Sequence, residues 1–354
     1  MRPEIPNPQS RTGGLVSVCV PTYNGARYLD ECLASASAQT YANIEILVVD
    51  DGSSDDTIAI AEQWQQRDQR VRIERNRSNL GLVHNWNRCI QLARGEWIKF
   101  LFQDDTLEPV CVETLLDHTD NKWKIIACDR RIIFDDVSAT AKDQWLNGDF
   151  NIHLARSSSG SLQLTPSDVA SLALDYHNMN FVGEPTVTLC HRSVFETVGA
   201  FNPDLVQLCD IEFWLRAGLA MGIRYVDETL ATFRIHPTSA TSKNANGDPF
   251  RAGALDPLVL WHECLYSPYF KYWRLAAQDR HALRRSRLGF RYQTLRAHTR
   301  VQLDLLRSDA PQVSKQHADA WEALILRYPR IINRTHMLVP LAARIARHTR
   351  GWDR

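Results

Sequence analysis

Residues 44–57 read Ile44-Glu45-Ile46-Leu47-Val48-Val49-Asp50-Asp51-Gly52-Ser53-Ser54-Asp55-Asp56-Thr57, a β-branched apolar run that stops at two acids, a glycine and small polar residues. An apolar run of this length suits a strand buried on both faces, and parallel sheets are buried on both faces. Gly52 permits a tight turn, Ser53 or Ser54 can cap a following helix, and Asp55 and Asp56 suit that helix's positive first turn. The stretch reads strand, turn, helix.

The same rhythm extends in both directions. Apolar runs recur at Val16–Val20, Val71–Arg75 and Trp97–Phe102, and helical stretches long enough to cross over a sheet lie at Ala26–Ala38, Asp55–Arg67 and Asn85–Ala93. This alternation predicts an α/β fold with a doubly wound, mostly parallel sheet. Further strands are expected around Thr186–Cys190 and Ile223–Val226, an irregular stretch over Asp135–Ser167 and a polar loop over Thr238–Asp248. Beyond Asp256 the chain is helical in character and rich in arginine. The expected division is a flexible tail (1–14), an α/β domain (15–250) and a helical, basic C-terminal extension (251–354).

With 354 residues, 44% hydrophobic and 23% charged, the composition is that of a globular enzyme and excludes a fibrous or disordered chain. The eight cysteines form no CxxC pair and sit mostly in apolar runs, so they read as core residues of a reducing compartment. The first residues have no apolar signal core, and no run reaches the roughly 18–20 apolar residues of a membrane span. A cytoplasmic location is the expectation. A net charge of zero conceals an asymmetry: residues 271–354 hold 18 Lys/Arg against 6 Asp/Glu, and residues 1–270 hold 23 against 35.

Ligands of such sheets bind at the carboxyl ends of the strands. The first run ends in Pro21-Thr22-Tyr23-Asn24-Gly25. At the end of the second, Asp51 suits an N–H on a base edge, while the serines and later acids are explained by capping. Neither GxxxxGK[ST] nor a GxGxxG in the first turn is present to cradle phosphates. The fourth run ends in Gln103-Asp104-Asp105, two adjacent carboxylates that suit Mg²⁺ or Mn²⁺ or, alternatively, cap the next helix. Gln207–Arg216 carries Asp210 and Glu212 at an apolar helix start, where a partly buried carboxylate serves as a general base or Asp210 as a cap. In Phe233–Ala240, His236 opens onto the polar loop as a metal or phosphate ligand or as an ordinary satisfied histidine. Ser53, Asn79, His84 and His177 have no case from spacing.

Taken in order, these motifs resemble the family 2 glycosyltransferases of the glycosyltransferase A fold, from about Val16 to Ser242. Asn79-Leu80-Gly81-Leu82, Ala93–Ile98, Glu184-Pro185-Thr186, His191–Phe195 and Val198–Phe201 join the resemblance. It implies that Pro21, Thr22, Tyr23 and Asp51 line a nucleobase pocket and that Asn79 and Gly81 approach the nucleotide. Asp105 would be the direct metal ligand and Asp104 lie nearer the ribose. Asp210 would be the catalytic base, Glu212 the second acid of its segment, and His236 an aid at the metal or diphosphate. Three features depart from the family: Gln103 in place of a first aspartate, Cys209 in place of the acid before the base, and no QxxRW.

The implied activity is inverting transfer of a sugar from a nucleotide-diphosphate sugar, UDP by family analogy, to an acceptor hydroxyl, with Mn²⁺ or Mg²⁺, in cell-surface glycan or glycolipid synthesis. The competing readings are a sugar-phosphate nucleotidyltransferase, which would need a basic glycine-rich phosphate loop, and an inactive nucleotide-sugar-binding protein. Arg280, Arg284, Arg287 and Arg291 recur at four, three and four residues, and Met337–Ile345 adds an amphipathic stretch. Together they predict peripheral contact with an anionic membrane at its inner face and a glycan or lipid-linked acceptor. Nucleic acid is not expected, because the catalytic part is net acidic and the tail carries no nucleic-acid-binding motif.

Overall fold

The computed structural model describes residues 14–140, 142–143, 163–176, 180–239, 242, 250–276, 280–305 and 311–334. Most of the expected tail, most of 135–167, His177, much of the Thr238–Asp248 loop and all of Met337–Ile345 lie outside the described residues. In chain order the elements are β1 (Val16–Thr22), α1 (Ala26–Ser37), β2 (Ile44–Asp50), α2 (Thr57–Arg67), β3 (Val71–Arg75), α3 (Leu82–Leu92), β4 (Trp97–Phe100), β5 (Thr106–Leu107), α4 (Cys111–Asp117) and β6 (Ile125–Phe134). There follow β7 (Gln163–Leu164), α5 (Pro166–Tyr176), β8 (Thr188–His191), α6 (Arg192–Val198), α7 (Cys209–Met221), β9 (Ile223–Ile235), α8 (Asp256–Tyr266), α9 (Lys271–Ala276), α10 (Arg280–Leu305) and α11 (Pro311–Arg327).

Two compact units form. The first holds the chain through Ile133 together with Gly183–Gly199 and Ile223–Arg234; the second holds Phe134–Val182, Ala200–Gly222 and the chain from Ile235 onward.

In the first unit the strand order is β3-β2-β1-β4-β8-β6-β9-β5. The β3-β2-β1-β4 half is parallel, with Val16 opposite both Ile44 and Trp97, and β4-β8, β8-β6 and β9-β5 are antiparallel. Every residue of β1 and β2 is buried, which explains why both read as unbroken apolar runs. Val18, Val20, Ile46 and Val48 share one core with Leu29, Leu33 and Ala36 of α1 and Ala61 of α2. Each fully buried aliphatic side chain there contributes about 1.5–3 kcal/mol. The chain leaves β1 toward β2 and β3, then returns to β4 on the other flank. The carboxyl ends of β1 and β4 therefore flank the switch point, where open α/β sheets form their crevice.

Strand β9 runs much further than the expected Ile223–Val226. Asp227, Glu228 and Thr229 are exposed in its middle and look like a turn in sequence, although the pairing continues past them to Ile235. In the second unit α7 is buried along most of its length and ends at Gly222, whose φ of 73° suits a glycine. Phe201 and Phe213 pack at 4.4 Å between ring centres, with Trp214 edge-on to Phe213 at 5.1 Å. Helices α10 and α11 are joined by Asp304, which accepts from His317 at 2.6 Å and from Arg300 at 2.9 Å. Among the described residues no helix is long and apolar enough to cross a membrane.

Candidate active site

The first unit holds a set of strand ends tied to one another. Thr22, at the end of β1, is buried, whereas Tyr23 is 45% exposed. The Tyr23 N–H donates to Gln103 Oε1 at 2.9 Å, and Gln103 Nε2 donates back to the Tyr23 carbonyl at 3.3 Å, so the ends of β1 and the β4 turn are joined across the switch point. At the end of β2, Asp50 accepts the N–H groups of Gly52 and Ser53 at 3.2 and 3.1 Å, in a turn where Gly52 takes φ 81°. The expected caps change hands. Ser53 Oγ accepts from Asn24 N–H, and it is Asp55 that receives both the Thr57 N–H and the Ala26 N–H, at 3.1 Å each. Burial works to raise the Asp55 pKa, but the Thr57 hydroxyl and these N–H groups outweigh it and hold the carboxylate below its ordinary value.

Asp51 is 2% exposed and fully engaged by the protein. Its Oδ1 accepts from Asn76 Nδ2 and Leu80 N–H, both at 2.8 Å, and its Oδ2 accepts from Gly81 N–H at 2.9 Å. The side chain thus holds the loop that carries Asn79 and Gly81; Asn79 is exposed and Gly81 stands at φ 87°. His84 is exposed on α3.

The acid pair at the end of β4 is unequal. Asp105 is fully buried, with Oδ1 accepting Arg234 N–H at 2.9 Å and Oδ2 accepting the Thr186 hydroxyl at 2.7 Å. Burial first, and the neighbouring Asp104 charge second, raise its pKa well above the carboxylate range. Asp104 is half-buried, and its carbonyl receives Arg234 Nε at 2.9 Å while the same guanidinium reaches Glu31 at 2.7 Å. Asp105 therefore links β8's lead-in to β9, and Asp104 is the carboxylate of the pair with exposed surface. Among the described residues no three His, Cys, Asp or Glu side chains converge as metal ligands. The Asp104 carboxylate fits a cation such as Mg²⁺ or Mn²⁺, which commonly takes one or two carboxylates and fills its remaining positions with phosphate oxygens and water.

The second unit, taken by itself, holds the start of α7. Glu212 is 1% exposed and paired with Arg216 through two bonds of 2.8 and 2.9 Å, and Arg216 also donates to the Ala200 carbonyl at 2.9 Å. Asp210 is half-buried; its Oδ2 accepts from Asn180 Nδ2 and its Oδ1 from Ile211 N–H, both at 2.8 Å. Of the two acids, one is locked in an ion pair and the other keeps exposed surface. His236 is 5% exposed, with Nδ1 at 3.0 Å from Thr238 Oγ1. Asn180, Thr186 and Arg234 bind these acids or their backbone, and Gln103 ties the Tyr23 turn; sequence spacing singled out none of them for that role.

The open α/β sheet, with tied strand ends and acids at its switch point, is of the glycosyltransferase A fold type. Residues 17–178 match the profile of "Glycosyl transferase family 2". An uncharacterized protein of Mycobacterium tuberculosis is 33% identical over 230 residues, 65% of this chain and 70% of its own. The chain belongs to glycosyl transferase family 2. Its fold is shared with Staphylococcus aureus TarS 1–349 in complex with UDP-GlcNAc, at a TM-score of 0.55 and 15% identity over 86% of this chain and 87% of that one. It is also shared with a Pyrobaculum calidifontis mannosyltransferase in complex with GDP-Man and Mn²⁺, at a TM-score of 0.52 and 18% identity over 97% of this chain and 89% of that one.

Proposed function

We propose that this glycosyltransferase moves a sugar from a nucleotide-diphosphate sugar to an acceptor hydroxyl with inversion at the anomeric carbon, Asp210 acting as the base. The observation that carries the reading is the contrast between Glu212, neutralised by Arg216, and Asp210, held in place by Asn180 and Ile211 N–H with surface to spare. As the acceptor oxygen attacks from the face opposite the diphosphate, Asp210 takes its proton. Asp104 would hold the cation, with Asp105 as its buried support, a reversal of the division that the resemblance implies. A divalent cation bound there would neutralise charge on the departing diphosphate. Tyr23 and the Asn79–Gly81 loop form the nucleotide side, with Asp51 shaping that loop; His236 assists at the diphosphate. The fold shared with one protein complexed with UDP-GlcNAc and another complexed with GDP-Man and Mn²⁺ supports a nucleotide-sugar donor and a metal.

The test is a titration of UDP-, dTDP- and GDP-sugars with and without Mn²⁺, followed by NMR of the product formed from the donor that binds. Metal-independent turnover, or a product of retained configuration, rejects the mechanism.

The acceptor is a glycan or lipid-linked sugar met at an anionic membrane. Arg284, Arg287 and Arg291 are exposed on α10, with Leu288 54% and Tyr292 63% exposed among them. Asp304 is the one acid in this helix and it is buried. Each arginine at an anionic leaflet contributes about 1 kcal/mol. Co-sedimentation with anionic vesicles at low salt, absent with neutral ones, is the expected result.

A further inference from the structure

The helical C-terminal part makes two separate attachments to the segment that leads into Asp210. Asp256, the first residue of α8, is fully buried and accepts three consecutive backbone N–H groups: Val206 at 2.9 Å, Gln207 at 2.5 Å and Leu208 at 2.9 Å. These residues lie 48–50 positions away in the chain. A short run of N–H groups aimed at one point is an anion-binding concavity, and here the protein fills it with its own carboxylate. A few residues upstream, Asp204 accepts the Tyr328 hydroxyl at 3.0 Å and pairs with Arg327, while Asn202 Nδ2 donates to the Tyr328 oxygen at 3.3 Å. The segment 202–208 is therefore tied at one end by the close of α11 and its following residue, and at the other by the start of α8.

What this segment holds is the first turn of α7. Leu208 lies directly before that helix, and its carbonyl accepts Glu212 N–H at 3.0 Å. The same peptide chain that gives its N–H to Asp256 thus gives its C=O to the turn carrying Asp210. Rotation or slippage of residues 206–208 moves Asp210 away from Asn180. The cap position itself anchors this turn weakly: Leu208 contributes no side-chain bond, and no serine or threonine precedes it.

We propose that Asp256 is a positioning residue for the catalytic base, and that the C-terminal helices serve the chemistry by clamping segment 202–208 through Asp256 at one end and Tyr328 at the other. The inference rests on the reading of Asp210 as the base. It assigns a role to a region that lies outside the matched family profile, which ends at residue 178.

The test compares Asp256→Asn, Tyr328→Phe and Asp210→Asn in the full chain, using the donor that turns over in the titration above. Asp256→Asn keeps the size of the side chain but removes its charge and turns one acceptor into a donor facing N–H groups. Its kcat should fall about 100-fold, the scale expected when a reacting group is displaced by about 1 Å. Affinity for the bare nucleoside diphosphate should stay within about twofold, because the clamp acts on the base and not on donor binding. Amide hydrogen exchange should speed up in 206–214 and stay unchanged in 44–50, the buried strand β2. Tyr328→Phe, a gentler cut, should lower kcat about five- to tenfold with the same unchanged affinity, and it carries the test if Asp256→Asn does not fold. A folded Asp256→Asn enzyme with kcat within about threefold of the parent, or one whose nucleotide affinity falls in step with kcat, overturns the proposal. Full activity in Asp210→Asn rejects the base itself and the clamp's purpose with it. An inactive Asp210→Asn beside a fully active Asp256→Asn leaves the base standing and rejects the clamp alone.

Discussion

Gln103 and Tyr23 hold each other by two hydrogen bonds, the amide accepting the Tyr23 N–H at 2.9 Å and donating to the Tyr23 carbonyl at 3.3 Å. A carboxamide can do both, whereas an aspartate at this place can only accept. The departure from the family's usual acid at the position assigned to Gln103 is thus matched to a structural task at the switch point. Gln103→Ala should weaken nucleotide affinity about three- to tenfold by loosening the Tyr23 turn, at a stability cost of about 1 kcal/mol or less, read by calorimetric titration and thermal melting.

Asp104 and Asp105 should separate cleanly on substitution. Asp104→Ala is expected to fold with a stability within about 1 kcal/mol of the parent and to lose the Mn²⁺-dependent part of donor binding. Asp105→Ala leaves the Arg234 N–H and the Thr186 hydroxyl without their acceptor in a buried place, and should cost about 2–4 kcal/mol in urea unfolding. Equal stability of the two variants contradicts the assignment of Asp105 as a support.

Glu212 and Asp210 offer a second contrast. Breaking one side of a buried ion pair is destabilising by about 3–5 kcal/mol, so Glu212→Gln should lower the unfolding midpoint strongly by stranding Arg216. Asp210→Asn should leave stability and donor affinity nearly unchanged while kcat drops by about 10³-fold or more. Denaturation curves and steady-state kinetics on the same preparations decide it.

The turn between α2 and β3 should respond to acid. Hydrogen bonds from Arg70 above all, and also from the Ser37 hydroxyl, hold Asp68 well below the carboxylate range, against the effect of burial. A lowered folded-state pKa means that the stabilisation is complete above the ordinary Asp value and is lost as the pH falls toward the lowered one. Arg70 is 31% exposed, and solvent screening trims the effect, so Asp68→Asn should cost about 1 kcal/mol at neutral pH. The difference from the parent should shrink as the solution is taken from pH ~4 down toward pH ~2, followed by urea unfolding at each pH.

The strands were legible because a parallel sheet buries both faces, which leaves unbroken runs such as Val16–Thr22 and Ile44–Asp50. The strand ends were legible as positions in the sheet, where each apolar run closes. The division of labour among the acids was not. Asp51 reads as a ligand contact, but a strand-end carboxylate can serve backbone N–H groups equally well, and this one holds Leu80 and Gly81. Asp105 reads as the metal ligand, and what the sequence does not show is that Thr186, 81 residues away, and Arg234, 129 residues away, bond its two oxygens. Arg216 lies one helical turn from Glu212, so that pairing was visible as an option in the sequence. Asn180 and Asp256 were beyond local pattern, because their partners are set by tertiary packing.

All eight cysteines are buried and free. Burial pushes the Cys190 thiol up to about 12 and raises Cys32, Cys209 and Cys264 as well. Burial shields all eight sulfurs from a maleimide or an oxidant. One cysteine placed at Tyr23, Asn79 or Arg287 becomes an addressable position for a fluorophore or spin label. The Asn79–Gly81 loop or the basic helix can then be followed by spectroscopy in the wild-type cysteine background, without first stripping the core of its own sulfur.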